Sequence, residues 1–299
     1  MNLGKSLLPF QCPNCFEKGR VKLEIDGQFK VYFCHNCHNG FTSPVPEHIR
    51  DYYPEYYWIS SSTLGLIKET IFNLFQRRRI TWLTKSVSKG FILDVGSGEA
   101  TFGTYLSQIS QKFTTVSLES SSSLVKNRAV IKRDFLKWAT DQKFNAVCFW
   151  ESLEHTNNPQ KYLQKAYSLL NNGGLIFIEF PRYQCFESRL FGQNWFHLDL
   201  PRHLAHLTDN GVRELLIRSG FTKIRVRGVL AFEYAPWGFI ASFLKTINPK
   251  AKLTDNLKAS GNILFLILLA PFFLLACIIE AIFLFLDEAP IALVTAEKK

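Results

Sequence analysis

An α/β fold wound around a mostly parallel sheet is what this 299-residue sequence predicts. Residues 90–232 alternate short apolar runs with stretches of helical spacing, as expected of helices crossing over the faces of a sheet. Two glycines, Gly96 and Gly98, sit where the first apolar run gives way to the first helical stretch, the place where doubly wound sheets bind ligands. Apolar residues make up 47% of the chain and Phe alone contributes 27, which supplies a core and excludes a disordered or collagen-like chain. The formal net charge of +10 favours an anionic partner such as lipid headgroups, phosphates or nucleic acid.

The N-terminal element is a cysteine ribbon. Cys12-Pro-Asn-Cys15 and Cys34-His-Asn-Cys37 are separated by 18 residues, and each pair puts two thiolates on one tight knuckle. The runs VKLEI and FKVYF between them read as a hairpin that brings the knuckles together into a tetrahedral four-thiolate site. Four protein ligands leave no open position, so a structural zinc there stabilises folding and performs no hydrolysis. Seven cysteines, an odd number with two close pairs, point to metal ligation in a reducing compartment rather than to a disulfide framework. The opening MNLGKSLLPFQCP lacks the long apolar stretch of a secretory signal.

A Pro- and Tyr-rich connector, residues 44–63, leads to a helical stretch from Thr63 to about Lys89 that carries the basic run Arg77-Arg78-Arg79. FILDV (91–95) is predicted as the first strand of the sheet and TFGTYLSQISQ as the first crossover helix. FTTVSLE (113–119) is the second strand, SSSLVKNR a short helix, AVIKRD the third strand and FNAVCFW (144–150) the fourth. PQKYLQKAYSLLNN (159–172) is an amphipathic helix stopped by Gly173-Gly174, and GLIFIEF (174–180) the fifth strand. DNGVRELLIRSG (209–220) is a helix capped by Thr208 and ended by Gly220; TKIRVRGVLAFEY is the sixth strand and PIALVTAE (290–297) the seventh.

The turn Asp94-Val-Gly96-Ser-Gly98 defines the cofactor. Glycines let the backbone pass close to a ligand, and the helix N-terminus behind them offers free N–H groups. A third glycine at position 101 would mark a dinucleotide site, and Thr101 stands there instead. Asp94 suits an ammonium group and would repel a pyrophosphate. Glu119, ending the second strand, is placed to accept two ribose hydroxyls, as either cofactor requires. The balance favours S-adenosylmethionine.

With that turn in place, a series of motifs resembles the class I S-adenosylmethionine-dependent methyltransferases over about residues 80–232 and the last ten. They are D-x-G-x-G at 94–98, Glu119, Asp134-Phe135, E-S-L-E-H at 151–155, NGGLIFIEFP at 172–181 and W-F-H-L-D-L-P-R-H-L at 195–204. The likeness is greatest to bacterial members that carry a four-cysteine ribbon and a Pro- and Tyr-rich connector. It implies a Rossmann-like seven-stranded methyltransferase sheet: ribbon 1–43, connector 44–63, methyltransferase domain 64–235, hydrophobic helical insertion 236–288 and final strand 289–299. It also implies that Asp94, Gly96, Gly98, Glu119 and Glu151 hold the cofactor, with Asp134 at the adenine amino group and Phe135 on its ring face. Ala100 stands where a third glycine is common in the family.

Ligands of such sheets lie beyond the carboxyl ends of the strands, so the loop Glu151 to Asn158 is expected to face the transferring methyl. The sulfonium is already activated, and the protein's main work is to place an acceptor in line with it. An oxygen acceptor also needs a base, for which His155 beside Glu154 is the candidate; bracing of the loop is the alternative. E-x-x-E-H is also similar to the metal-binding loop of small-RNA 2′-O-methyltransferases and of ubiquinone-pathway O-methyltransferases. That likeness would make Glu151, Glu154 and His155 ligands of a divalent ion, with His203 or His206 as a fourth. Within Phe191–Thr208, Trp195, Arg202 and His203 are the expected acceptor contacts, an Arg beside two His being able to hold a phosphate or carboxylate. A segment that packs only on itself is the alternative.

Ile263–Leu286 is apolar over 24 residues with one charge, Glu280. As a straight helix it would extend about 36 Å, against ~30 Å for a hydrocarbon core. In this fold the seventh strand returns antiparallel beside the sixth, so both ends of the stretch would lie on one side of a membrane. The expectation is a monotopic hairpin broken at Ala270-Pro271, with arms Asn256–Leu269 and Phe272–Leu286, and with Lys245, Lys250, Lys252 and Lys258 meeting anionic headgroups. A true span and a helix pair packed on the protein are the alternatives. The sequence therefore reads as a methyltransferase at the cytoplasmic face of a membrane, O-methylating a lipid-linked or membrane-synthesised small molecule or glycan. RNA methylation is a second reading, against which the apolar stretch counts, and a non-catalytic membrane adaptor a third.

Overall fold

The computed structural model describes residues 8–25, 27–53, 65–120, 125–232, 234–248 and 263–299. Half of the connector, 54–63, and the basic stretch holding Lys250, Lys252 and Lys258 lie outside them.

Three short strands, β1 (Arg20–Ile25), β2 (Phe29–Phe33) and β3 (Gly40–Ser43), form an antiparallel ribbon whose small core is Cys12, Cys34, Cys37 and Phe41. Helix α1 (Gly65–Ser86) then delivers the chain to β4 (Gly90–Val95), an inner strand of the main sheet. The sequence continues through α2 (Thr101–Ile109), β5 (Phe113–Glu119), the two-residue β6 (Ile131–Lys132) and β7 (Phe144–Trp150). Next come α3 (Pro159–Leu169), β8 (Leu170–Pro181), α4 (Phe186–Phe191), β9 (Ala205–His206), α5 (Asp209–Arg218) and β10 (Phe221–Gly228). Two apolar helices, α6 (Ala235–Ile247) and α7 (Ile263–Phe285), precede β11 (Ile291–Lys298).

The seven-stranded sheet runs β10-β11-β8-β7-β4-β5-β6, parallel except for β11, which lies antiparallel between β10 and β8. Strand order reverses between β4 and β7, and sheets of this kind hold their ligands in the crevice outside the carboxyl ends at that point. The central strands bury both faces, which is why FILDV, FNAVCFW and LIFIEF read as nearly continuous apolar runs. Phe144, Phe149, Ile176, Ile178, Leu215 and Val294 are fully buried together, each contributing about 1.5–3 kcal/mol by leaving water.

Several elements differ from the sequence reading. Helix α3 ends at Leu169 rather than at the glycine pair, because Leu170 is already extended and pairs with Phe144, so β8 runs through Gly173-Gly174. The sixth strand stops at Gly228, before the aromatic stretch that leads into α6. Of the helix expected over SSSLVKNR, residues 121–124 lie outside the described residues, and the rest is not helical. The expected break at Ala270-Pro271 is absent: α7 runs continuously past Pro271, so the two arms do not form there. A proline forfeits one helical hydrogen bond, and the apolar neighbours on both sides keep the helix going. Among the described residues, no helix is long and apolar enough to cross a membrane.

Candidate active site

Asp94 is the penultimate residue of β4, paired with Ser117 on one side and Cys148 on the other, so its carboxylate is carried to the mouth of the crevice. It is buried, and its Oδ1 has no hydrogen-bond partner among the described residues. Burial pushes its carboxyl up to about 7, the Arg79 guanidinium opposing and Glu119 adding to the shift. A buried oxygen without a donor, at the carboxyl end of a strand beside the switch point, is what an incoming ammonium group would satisfy.

The turn that follows needs glycine at two places. Gly96 has φ +75°, and a Cβ there would lie 2.4 Å from the Ser152 Cβ, so the turn and the Glu151 loop are packed without room for a side chain. Gly98 has φ +53° and open space where a Cβ would be, a cradle rather than a contact. Its N–H donates to Glu119 Oε2 at 2.9 Å while the Ser120 N–H donates to Oε1 at 2.7 Å. Those bonds fix the Glu119 carboxylate at the end of β5, with lone pairs remaining for a diol. Ala100 takes the left-handed conformation, φ 58°, just before α2, which accounts for glycine being common at that position. The residues present therefore fit S-adenosylmethionine: Asp94 for its ammonium, Glu119 for its ribose, and the Gly98 cradle for its close approach.

The two residues assigned to the adenine stand differently in the structure. Asp134 is half-buried and accepts the Leu136 N–H at 2.9 Å, bracing its own turn. Phe135 is buried with its ring against Phe149 (centroids 5.9 Å) and Tyr162 (5.5 Å), so it belongs to the core and offers no open face to an adenine.

On the other side of the crevice, Glu151 takes a left-handed backbone, φ 54°, at the end of β7 and accepts the Tyr234 hydroxyl at 3.0 Å. The same hydroxyl lies 2.6 Å from Glu179 Oε1 on β8, and that fully buried carboxylate meets Arg79 Nε at 3.0 Å and Arg78 Nη2 at 3.1 Å. Burial would raise Glu179; the Arg79 and Arg78 guanidiniums hold it below the ordinary carboxylate value. Burial and the Glu179 charge push Glu151 up to about 8. Sequence reasoning missed this cluster. Its signals were the charge of Glu179 inside an otherwise apolar strand and the Arg77-Arg78-Arg79 run on α1, both visible and neither paired; Tyr234 gave none.

The loop after Glu151 gathers a second cluster. Glu154, His155 and His203 each bring a donor atom within 4.8 Å of the others. Glu154 is buried with neither carboxylate oxygen bonded among the described residues, and burial and the neighbouring Glu151 push it well above the usual range. His203 Nδ1 lies 2.8 Å from the His197 carbonyl and His155 Nδ1 3.1 Å from the Arg202 carbonyl. A carbonyl can only accept, so protons on both Nδ1 atoms, with the Tyr53 hydroxyl 3.0 Å from His155 Nδ1 accepting as well, leave lone pairs on both Nε2 atoms. Burial, then His203, lowers His155 to about 3, and burial lowers His203, so both rings are neutral. Once Glu154 gives up its proton, its carboxylate and the two imidazole lone pairs form an acceptor-only set that fits a divalent cation. Glu151 is not in this set; it turns to Tyr234, so the ligands that converge are Glu154, His155 and His203. His206 is also elsewhere, 2.9 Å from Thr42 Oγ1.

Of the expected acceptor contacts, Trp195 is 2% exposed and donates its indole N–H to Glu187 at 3.4 Å; it anchors the segment from inside and presents no face to an acceptor. Arg202 is half-buried, ion-paired to Asp199, and lies over the Tyr53 ring. In the ribbon, the Sγ atoms of Cys12 and Cys37, and of Cys15 and Cys34, are 3.4 Å apart, and all four thiols converge. Tetrahedral Zn–S bonds of about 2.3 Å need sulfurs slightly farther apart than that, so the knuckles are in place to close on zinc.

A family model described as a methyltransferase domain matches residues 67–226, more than half of the chain. Among solved structures, the chain is similar to phosphoethanolamine N-methyltransferase 2 of Haemonchus contortus in complex with S-adenosyl-L-methionine. That likeness is 14% identical, covers 93% of this chain and 71% of that one, and has a TM-score of 0.53. It is also similar to a SAM-dependent methyltransferase of Archaeoglobus fulgidus (17% identity, 79% and 100% covered, TM-score 0.49). No curated protein matches the chain by sequence. The chain belongs to the methyltransferase-domain family, as a class I S-adenosylmethionine-dependent methyltransferase with an N-terminal four-cysteine ribbon.

Proposed function

We propose that the chain methylates an oxygen on a lipid-linked or membrane-synthesised small molecule or glycan, at the cytoplasmic face of a membrane bearing anionic lipids. One observation carries this reading: an exposed apolar helix face buttresses the segment that would face the acceptor. On α7, Phe272, Leu274, Leu275, Ile278, Ile282 and Phe285 are exposed, Phe285 at 89%, along one helical stripe. Its other face packs on α6 through Trp237 and Phe273 (4.9 Å) and on α4 through Phe283 and Phe186 (5.1 Å). In turn, Ser242 of α6 accepts the Phe196 N–H at 2.8 Å, which joins the apolar helices to the segment holding Trp195 and His203. The sequence between α6 and α7 adds Lys250, Lys252 and Lys258 against a single Asp255, the charge that anionic headgroups attract.

Methyl transfer would form the acceptor O–CH3 bond as the S–CH3 bond breaks, turning the sulfonium into a neutral thioether while the acceptor proton leaves. His155, with Nδ1 committed and its basicity lowered by burial, is poorly suited to take that proton alone. Glu154, His155 and His203 are better suited to hold a divalent ion, which would supply a lowered pKa to a nearby acceptor hydroxyl. The test is incubation with methyl-labelled cofactor and a membrane lipid extract, read by mass spectrometry. Label in a lipid species, lost after chelation that leaves the ribbon zinc in place and restored by a divalent ion, supports both parts. Label confined to water-soluble or RNA fractions overturns the acceptor, and transfer that is indifferent to chelation overturns the ion.

A further inference from the structure

Among the described residues, hydrogen bonds join the ribbon to the rest of the molecule at three places, and Val31 and Leu23 pack beside them in one apolar cluster with Trp195 and Leu198. First, β3 pairs antiparallel with β9, Gly40 opposite His206 and Phe41 opposite Ala205, so the fourth strand of the ribbon sheet is supplied by the segment that carries His203. Thr42 reinforces the joint: its N–H donates to the Leu204 carbonyl at 2.9 Å and its hydroxyl to the His203 carbonyl at 2.7 Å. Second, the stretch just after the second knuckle completes the cap of α5. The Thr208 hydroxyl donates to the His38 carbonyl at 2.6 Å, its N–H donates to Asn39 Oδ1 at 3.1 Å, and Gly211 is glycine where a Cβ would lie 2.0 Å from that oxygen. Third, the first knuckle holds the start of α3, the Asn158 amide donating to the Pro13 carbonyl at 2.5 Å and the Gln160 N–H to Asn14 Oδ1 at 3.2 Å.

These joints continue into the catalytic loop. The Leu204 N–H donates to the Glu154 carbonyl at 2.8 Å, and the Arg202 carbonyl holds His155. Asp94, Gly98 and Glu119, by contrast, stand on β4, the turn after it and β5, two strands paired to each other within the main sheet and away from the ribbon sheet. The ribbon's core is three cysteines and one Phe. A module that small does not fold on apolar burial; it folds when its thiolates share a metal.

We propose that the metal-loaded ribbon is the positioning element of the acceptor side: zinc in the four-cysteine site orders residues 192–208 and the Glu154–His155 loop, and leaves the cofactor half independent. Thr42 and Asn39 are the positioning residues through which it acts. That residues 192–208 face the acceptor rests on the function proposed above, but the test reads order and cofactor affinity, so it stands or falls without any acceptor.

The full chain with zinc quantified is compared before and after zinc is stripped by a thiol-reactive mercurial and chelator, using amide hydrogen exchange and calorimetry with S-adenosylhomocysteine. Exchange over 200–208 should accelerate by about tenfold or more, while β4 and β7 keep their protection, and the Kd should change by no more than about twofold. The variant Thr42→Val, isosteric and remote from the thiols, should keep one zinc per chain and the same cofactor affinity, yet speed exchange at 203–206. Unchanged exchange over 200–208 after stripping overturns the proposal. So does a uniform loss of protection that takes cofactor affinity with it, or a Thr42→Val chain whose 203–206 amides exchange as in the parent.

Discussion

Asp94 and Glu119 occupy the ends of two neighbouring parallel strands, whereas Glu154, His155 and His203 are drawn from a loop and from a segment some 50 residues further on, held by a ribbon at the far end of the sequence. The cofactor half of the crevice is thus a local consequence of strand, glycine turn and helix. The acceptor half is an assembly, and its geometry depends on long-range bonds that run through Thr42, Asn39 and Leu204. A fold that keeps one cofactor and changes acceptors would be expected to divide its labour this way, with the fixed chemistry on rigid strands and the variable chemistry on supported loops.

The largest effect is predicted where the two halves meet. Arg79 lies against Glu179 and over the Trp150 ring, between Asp94 and the Glu151–Tyr234 pair. Arg79→Met leaves the fully buried Glu179 with Arg78 as its remaining guanidinium, and breaking a buried pair by removing one partner costs about 3–5 kcal/mol. Urea denaturation should show that loss as a lower midpoint at unchanged slope. A loss below about 1 kcal/mol would mean that Arg78 alone neutralises Glu179 and that the halves are not held together here.

A smaller but more selective effect separates the halves. In the empty crevice the Asp94 carboxyl sits at about 7, and an ammonium beside it favours the charged form, so cofactor binding should release a proton below that pH. Affinity is then full above about pH 8 and falls about tenfold per unit below pH 6. Asp94→Asn should weaken binding about 10–100-fold at pH 8 and abolish that slope, while His203→Ala leaves both untouched. Calorimetry in buffers of different ionisation enthalpy measures the affinity and the proton together. Equal losses from the two variants would erase the distinction between cofactor half and acceptor half.

The same division explains what could be read from the sequence. The strand–turn–helix unit around Gly96 and Gly98, the thiolate spacing and the strand-by-strand sheet were legible because each depends on neighbours within a few residues, or on a period of burial. Phe135 and Trp195 were assigned to ligand contact and are buried instead, because a motif position does not say which way an aromatic ring turns. The Arg79–Glu179–Tyr234–Glu151 cluster joins α1, β8, the stretch before α6 and the loop after β7, and no periodicity reports such a meeting. Pro271 misled for a related reason: its local preference against helix was outweighed by an apolar helix that continues on both sides.

The smallest effect tests whether α7 is tied to the acceptor half. Glu280 of α7 and Glu187 of α4 are both buried, and Glu187 also receives the Trp195 indole N–H. Burial first, then the hydrogen bond and charge of Glu280, push Glu187 up to about 10. Its folded value is therefore above the unfolded one of about 4.3: the folded chain keeps a proton that the unfolded chain has lost, so this contribution to stability is fullest below about pH 4 and declines as pH rises toward 10. Glu280→Gln removes the second carboxyl and supplies an amide that can donate to Glu187. The variant should match the parent at pH 5 and exceed it in Tm at pH 9 by about 2–4 °C, the shift that ~1 kcal/mol makes in a chain of this size. Parallel Tm profiles across that range would mean that the two carboxyls do not share a proton, and that α7 rests on the acceptor half through its aromatic contacts alone.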